Sequence, residues 1–165
     1  MSLTNFDFAI IEKRPIDALG FFGPGILFIE SIARLWNQRC YLFGYLIAFF
    51  LNYPINQTLK NWIKQPRPSG GRSLIGEEYN GADHYGMPSL HAQSTAISIM
   101  FLYLVKGFSM WVLFEIFIMV LVVYQRLEYK RHTFEQLMAG LATGCFVGWC
   151  GWFLTKTVLY RNSFL

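Results

Sequence analysis

Residues 111–127 read WVLFEIFIMVLVVYQRL, and the fold turns on this stretch. With its flanks it is long enough to cross about 30 Å of hydrocarbon, which takes about twenty helical residues. Working outward, residues 107–110 make a short turn and 89–106 another span, while His132 to Leu159 makes the last. Residues 40–59, rich in Phe, Leu, Ile and Tyr, form an earlier span whose last turns Pro54 kinks. Residues 16–36 are apolar but interrupted by Gly20, Gly23, Pro24 and Gly25, with Glu30 inside. They read as either a kinked span or a half-span in the interface, with Glu30 turned to the bundle or near an end, because a lone charge in lipid is expensive.

Composition points the same way. Apolar residues make up 54% of the 165-residue chain, aromatic residues 18% and charged residues 15%. Soluble domains carry about 25% charged residues. Mean hydropathy is +0.34. Buried helices of a soluble protein are the alternative for each stretch, but the chain has too little polar sequence to cover them all. The expected fold is therefore all-α, a multi-pass transmembrane helix bundle of about four to five spans, built as one domain over 1–165.

The formal charge of +4 suits an anionic partner: a phosphate substrate or a lipid headgroup. Nucleic acid is not expected, because the basic residues are scattered among apolar spans and form no stripe. Cys40, Cys145 and Cys150 sit in apolar stretches with no disulfide framework and no metal-ligand spacing. The N-terminus shows no cleavable-signal pattern. Residues 1–15 alternate apolar and polar and read either as an interfacial segment ended at Pro15 or as a frayed tail. Asn56-Gln57-Thr58 matches a glycosylation triplet, taken as chance because it lies against the membrane.

Residues 60–88 are the one long polar connection, the expected active-site loop. If the spans cross a bilayer, parity alone returns three polar pieces to one face: Lys60 to Pro68, Pro88 to His91, and Arg126 to Gln136. Lys60, Arg67 and Arg126 supply donors for a tetrahedral phosphoryl group, a point charge and two planar forks. Pro88 is expected as the first helical residue of the next span, with the Ser89 hydroxyl and unpaired N–H groups behind it, a favourable place for an anion. Two histidines beside such a pocket suggest two-step covalent catalysis, one imidazole attacking phosphorus and the other protonating the leaving oxygen. The nearby cations help by disfavouring imidazolium, and no metal or other cofactor is required. Taken singly, each cation reads as an interfacial anchor. His84, His91 and His132 on one face offer zinc as a competing reading, without a paired ligand motif behind it. Glu135 reads as a solvent-edge residue.

These three stretches resemble the signature of the type 2 phosphatidic acid phosphatase superfamily, also called the lipid phosphate phosphatase and haloperoxidase superfamily. Lys60, six further residues and Arg67-Pro68 match its first motif. Pro88-Ser89-x-His91 matches its second, and Arg126, five residues and His132 its third. The resemblance covers about residues 56 to 150. It implies a metal-independent phosphatase in which His132 is the nucleophile that becomes phosphohistidine and His91 the general acid. Lys60, Arg67, Ser89 and Arg126 would bind phosphoryl oxygens. Two positions depart from the pattern: Gln125 replaces a Ser, and Gln136 replaces an Asp. A Gln at 136 can still accept the imidazole proton and fix the tautomer, without the full charge.

Gln136, Lys60-Asn61, Pro66-Arg67-Pro68, Gly70-Gly71 and Tyr85-Gly86-Met87-Pro88-Ser89 resemble the dolichyl-diphosphatase branch. That branch implies a polyprenyl diphosphate substrate, cleaved to the monophosphate, and an endoplasmic-reticulum-like membrane; Gln136, Pro68 and Gly86 would support the site. The competing functions are a phosphatase for phosphatidic acid or a small phosphomonoester, and a membrane scaffold without turnover.

Overall fold

The computed structural model describes residues 15–72 and 81–160, with the side chains of 159 and 160 left aside. The interfacial reading of residues 1–14 and the middle of the polar loop, 73–80, lie outside these. Among the described residues there are five α-helices and no strand: α1 (Pro15–Leu35), α2 (Arg39–Ile63), α3 (Leu90–Lys106), α4 (Met110–Glu128) and α5 (Phe134–Leu154). A 3-10 turn, Gly81–His84, precedes α3, and a π-helical turn, Thr155–Tyr160, follows α5.

Among the described residues, three helices are long and apolar enough to cross a membrane: α1, α4, and α5 with its extension to Val158. The other two, α2 and α3, carry their polar residues inward. Asn52, Asn56, Gln93, Ser94, Thr95 and Ser98 are all buried. Thr95 bonds back to the Ala92 carbonyl of its own helix, and the others pair across the α2–α3 seam. The Tyr45 hydroxyl and Ser98 Oγ lie 2.8 Å apart, Asn52 Nδ2 donates to Ser94 Oγ at 2.8 Å, and Asn56 Nδ2 donates to Gln93 Oε1 at 2.7 Å. Polar groups inside an apolar bundle must find partners within it, so these contacts lower the hydropathy of two helices without exposing them to lipid. The buried side chain of Asn56 also accounts for its glycosylation triplet being fortuitous.

The doubtful first segment is one continuous helix. Its buried positions, Asp17, Ala18, Gly20, Gly23, Leu27, Ser31 and Leu35, recur every three or four residues. The glycines are contact points and not breaks: a Cβ on Gly20 would stand 2.5 Å from the Leu121 carbonyl, and one on Gly23 2.3 Å from Val122. Leu27 completes this α1–α4 contact with Ile118 and Val122. Glu30 faces the bundle, as expected, bonding Arg34 Nη1 at 3.2 Å, and Arg34 also bonds the fully buried Glu115 of α4.

The tightest seam joins α3 to α5. Gly140, Gly144 and Gly148 repeat every fourth residue and are buried. A Cβ at these positions would lie 2.6 Å from the Ser89 carbonyl, 2.2 Å from the Gln93 carbonyl and 3.0 Å from the Ile97 carbonyl, in that order. Small residues let two helix backbones approach within a bilayer, where dispersion must replace the hydrophobic drive.

Candidate active site

The C-terminal ends of α2 and α4 and the N-terminal ends of α3 and α5 meet at one end of the bundle. Lys60 ends the buried face of α2, and Arg126 that of α4. His91 opens α3, and His132 lies just before Thr133, the N-cap of α5. The sequence pieces joined by parity are thus joined by contact.

His132 is buried between two fixed partners. Its Nδ1–H donates to the Gly86 carbonyl at 2.9 Å, and Arg67 Nη1 donates to its Nε2 at 3.0 Å. The first bond sets the tautomer, leaving Nε2 with the lone pair on the pocket side. Burial holds the imidazole well below its ordinary value of 6.5, reinforced by the charges of Arg67, Arg126 and Lys60 and only partly offset by the bond to Gly86. Neutral imidazole is the nucleophilic form, so with His132 in the role its motif implies, the acid limb of kcat/KM against pH is expected below 6.5. The Arg67→Gln variant should move that limb upward, as a pH–rate profile would show. Stability has the same sign. A folded pKa below the unfolded one means full stability above about pH 6.5, lost as pH falls from there through the folded value.

On the other side, Arg126 Nη2 donates to His91 Nε2, and the Arg126 guanidinium stands over the Phe21 ring at 5.0 Å. Phe21 lies 5.7 Å from the His91 ring. The first helix therefore supplies an aromatic wall to the second histidine. Ser89 is fully buried, and its Oγ makes no hydrogen bond to any described residue. An idle buried hydroxyl is costly unless something else takes it up.

The structure corrects two local expectations. Pro88 is not the first helical residue: α3 starts at Leu90 with Ser89 as N-cap, and Pro88 stands before the cap after a cis Met87–Pro88 bond. Ser89 N–H donates to the Gln136 carbonyl at 3.0 Å, so one N–H of this terminus is already used. The second correction concerns Gln136, whose amide does not touch the imidazole; the main chain of Gly86 does. Instead Gln136 Oε1 accepts from Thr133 N at 3.1 Å in a capping box, and its Nε2 donates to the Pro66 carbonyl at 2.8 Å. It ties the first motif to the start of α5 and supports the site in that way. Gln125 is buried against Gly20 of α1, with its Oε1 unbonded.

Gly86 is itself clamped. Its N–H donates to the Gln65 carbonyl at 2.8 Å beside an isolated Pro66–Tyr85 bridge. A Cβ on Gly86 would stand 2.3 Å from Gln136 Oε1. Pro68 lies half-buried just past this bridge. Three residues escaped the sequence reading. Arg131 is buried, and its carbonyl accepts from Arg67 Nη1 at 2.8 Å. Phe21 sits in the helix that looked broken. Asp83 pairs with Lys60, and its carbonyl accepts from Arg67 Nε at 2.9 Å. Only Asp83 carried a signal, as a carboxylate in a loop otherwise facing cations. His84 is exposed, and among the described residues no group of three His, Cys, Asp or Glu side chains is placed to hold a metal ion.

A sequence profile of the family described as the PAP2 superfamily matches residues 21–162. A curated relative, "Dolichyldiphosphatase 1" of Plecturocebus moloch, is 28% identical over 158 positions, which cover 83% of this chain. The chain spans 63% of that relative's length. Among solved structures, a transmembrane PAP2-type phosphatidylglycerolphosphate phosphatase of Bacillus subtilis superposes with a TM-score of 0.61. It is 23% identical, over 94% of this chain and 78% of that one, and shares the fold.

Proposed function

This chain belongs to the PAP2 superfamily, and from that premise we propose that it hydrolyses a polyprenyl diphosphate, dolichyl-like, to the monophosphate through a phosphohistidine. The observation that carries this reading is the His132 ring, oriented by the Gly86 carbonyl with Nε2 turned to Arg67. Around it Arg67, Arg126 and Lys60 converge, with the idle Ser89 hydroxyl.

In the first step His132 Nε2 attacks the terminal phosphorus. The bond to the bridging oxygen breaks, and His91, protonated at Nε2 once Arg126 turns from it to a phosphoryl oxygen, gives that proton to the leaving lipid monophosphate. Next His91, now neutral, takes a proton from water as its oxygen attacks phosphorus. The P–N bond breaks, inorganic phosphate leaves, and both imidazoles return to their starting forms. Arg67, Arg126, Lys60 and Ser89 donate to the equatorial oxygens, where charge is spread in the transition state. The lipid tail stays in the bilayer, beside the apolar outer faces of the helices. The family likeness supports the dolichyl-like headgroup through the curated relative.

The test is phosphate release from purified protein offered prenyl diphosphate, prenyl monophosphate and phosphatidic acid, each with excess chelator. Turnover of the diphosphate at least about tenfold faster than of the monoesters, undiminished by chelator, is the expected result. Equal rates on all three would remove the diphosphate assignment, and loss of turnover in chelator would remove the metal-free mechanism.

A further inference from the structure

Asp83 stands outside all three motifs, yet it touches two of their cations. Its Oδ1 accepts from Lys60 Nζ and, at 3.1 Å, from Gln57 Nε2, one turn earlier on the same helix. Its main-chain carbonyl accepts from Arg67 Nε at 2.9 Å. With Nε fixed there, Arg67 Nη1 reaches both the Arg131 carbonyl and His132 Nε2. The 3-10 turn Gly81–His84 supplies both contacts, and Tyr85 N–H closes it on the Ala82 carbonyl at 3.0 Å.

We propose that Asp83 is a positioning residue of the phosphate pocket, holding the Lys60 ammonium with its carboxylate and the Arg67 guanidinium with its main chain. The proposal rests on the reading of Lys60 and Arg67 as phosphate ligands. The Lys60 side chain is 1% exposed and that of Asp83 29%, so the pair is buried on the lysine side and opens to water on the other. An ammonium so far from water depends on a counter-charge to stay protonated. The groups around it are Asp83 from the turn, Arg67 from the segment after α2 and His132 from the loop before α5. Arg126 on α4 bears on both histidines, and His132 bears on His91 of α3. Among these groups Asp83 is the one carboxylate. Burial raises its own carboxyl, but the hydrogen bond and charge of Lys60, with Gln57 and Arg67, bring it below the ordinary value, so it is ionised across the working pH range.

An ammonium has three donors and Asp83 takes one, so a phosphoryl oxygen can join without displacing it. Two opposed effects follow from removing the carboxylate. The pocket loses a negative charge that repels phosphate, and Lys60 loses the charge that keeps its proton. The first acts at every pH, the second only where Lys60 would otherwise deprotonate. The Asp83→Asn variant, similar in shape, separates them.

The measurement is the Kd of inorganic phosphate by titration calorimetry in detergent, for wild type and Asp83→Asn at pH 6 and pH 9. The ratio of variant to wild type is expected at or below one at pH 6. It should rise severalfold at pH 9, where Lys60 without its counter-charge gives up its proton. Asp83→Glu, which keeps the charge, should restore a flat ratio. A constant ratio for Asp83→Asn, whether large or small, overturns the proposal, because a purely structural defect weakens binding equally at both pH values. If Asp83→Asn does not fold, the Asp83→Glu variant decides between charge and shape: phosphate affinity tracking wild type at both pH values supports the proposal, and loss at both overturns it. Binding is read directly, so the result is separate from the catalytic reading, which a fully active His132→Ala variant would refute.

Discussion

His132→Ala is expected to lower turnover by about 10⁴ or more, because it removes the atom to which phosphorus is transferred while leaving the cationic pocket standing. Phosphate should still bind, since Lys60, Arg67 and Arg126 remain. His91→Ala should behave differently, and in a way that reports on the substrate. A phosphate monoester must expel an alkoxide, a poor leaving group that needs a proton. A diphosphate expels a phosphate, a much better one. Loss of the acid should therefore cost a monoester the full value of general acid catalysis, about 10² to 10⁴, and a diphosphate far less in the first step. The second step still needs His91 as base. On a diphosphate the variant should release close to one equivalent of lipid monophosphate in a burst and then stall as an acid-labile phosphoenzyme. Rapid-quench measurement with a phosphorus label checks this. A His91→Ala enzyme equally slow in burst and steady state on the diphosphate would contradict the assignment.

The second large effect is expected far along α5 from the chemistry. Gly144→Ala puts a methyl group 2.2 Å from the Gln93 carbonyl and 2.7 Å from the Ala96 Cβ. The first of these is main chain in the first turn of α3 and cannot swing aside. The two helices must part, at a cost of about 1–3 kcal/mol for overpacking. Those helices carry Ser89 and His91 at one N-terminus and follow His132 at the other. A shift on the order of 1 Å between reacting groups costs roughly 10² in rate. Gly144→Ala should thus lose both thermal stability and kcat/KM. Gly25→Ala, with nothing within 4 Å of its added carbon, is the matched control and should lose neither. A Gly144→Ala enzyme with wild-type kcat/KM would show that the seam does not set the spacing of the site.

Much of this arrangement is legible before any coordinates. The parity of the spans depends only on counting apolar stretches, and it brings Lys60, Ser89, His91, Arg126 and His132 to one end whatever the first segment does. Helix α1 was harder to read, because Gly20 and Gly23 look like interruptions unless their partners on α4, Leu121 and Val122, are known. Gly86 is a different case. The group that orients His132 is a main-chain carbonyl, which every residue possesses, so no side-chain pattern announces it. The role of Gln136 is hidden from the sequence for a related reason. Its spacing from His132 suits an imidazole contact, but Thr133 and Pro66 offer its amide a donor and an acceptor at 3.1 and 2.8 Å. Asp83 depends on the path of a loop, which has no period to extrapolate.

The amide and hydroxyl contacts between α2 and α3 also act as a key cut for one lock. Tyr45, Asn52 and Asn56 each meet a different tooth on the facing helix, and Lys60 is the next step along the same edge. Deleting a single residue between Asn56 and Lys60 would rotate the end of α2 by about 100°. Lys60 would turn toward the lipid while the three teeth stayed engaged, so the length of this edge is as much a part of the pocket as the lysine it delivers.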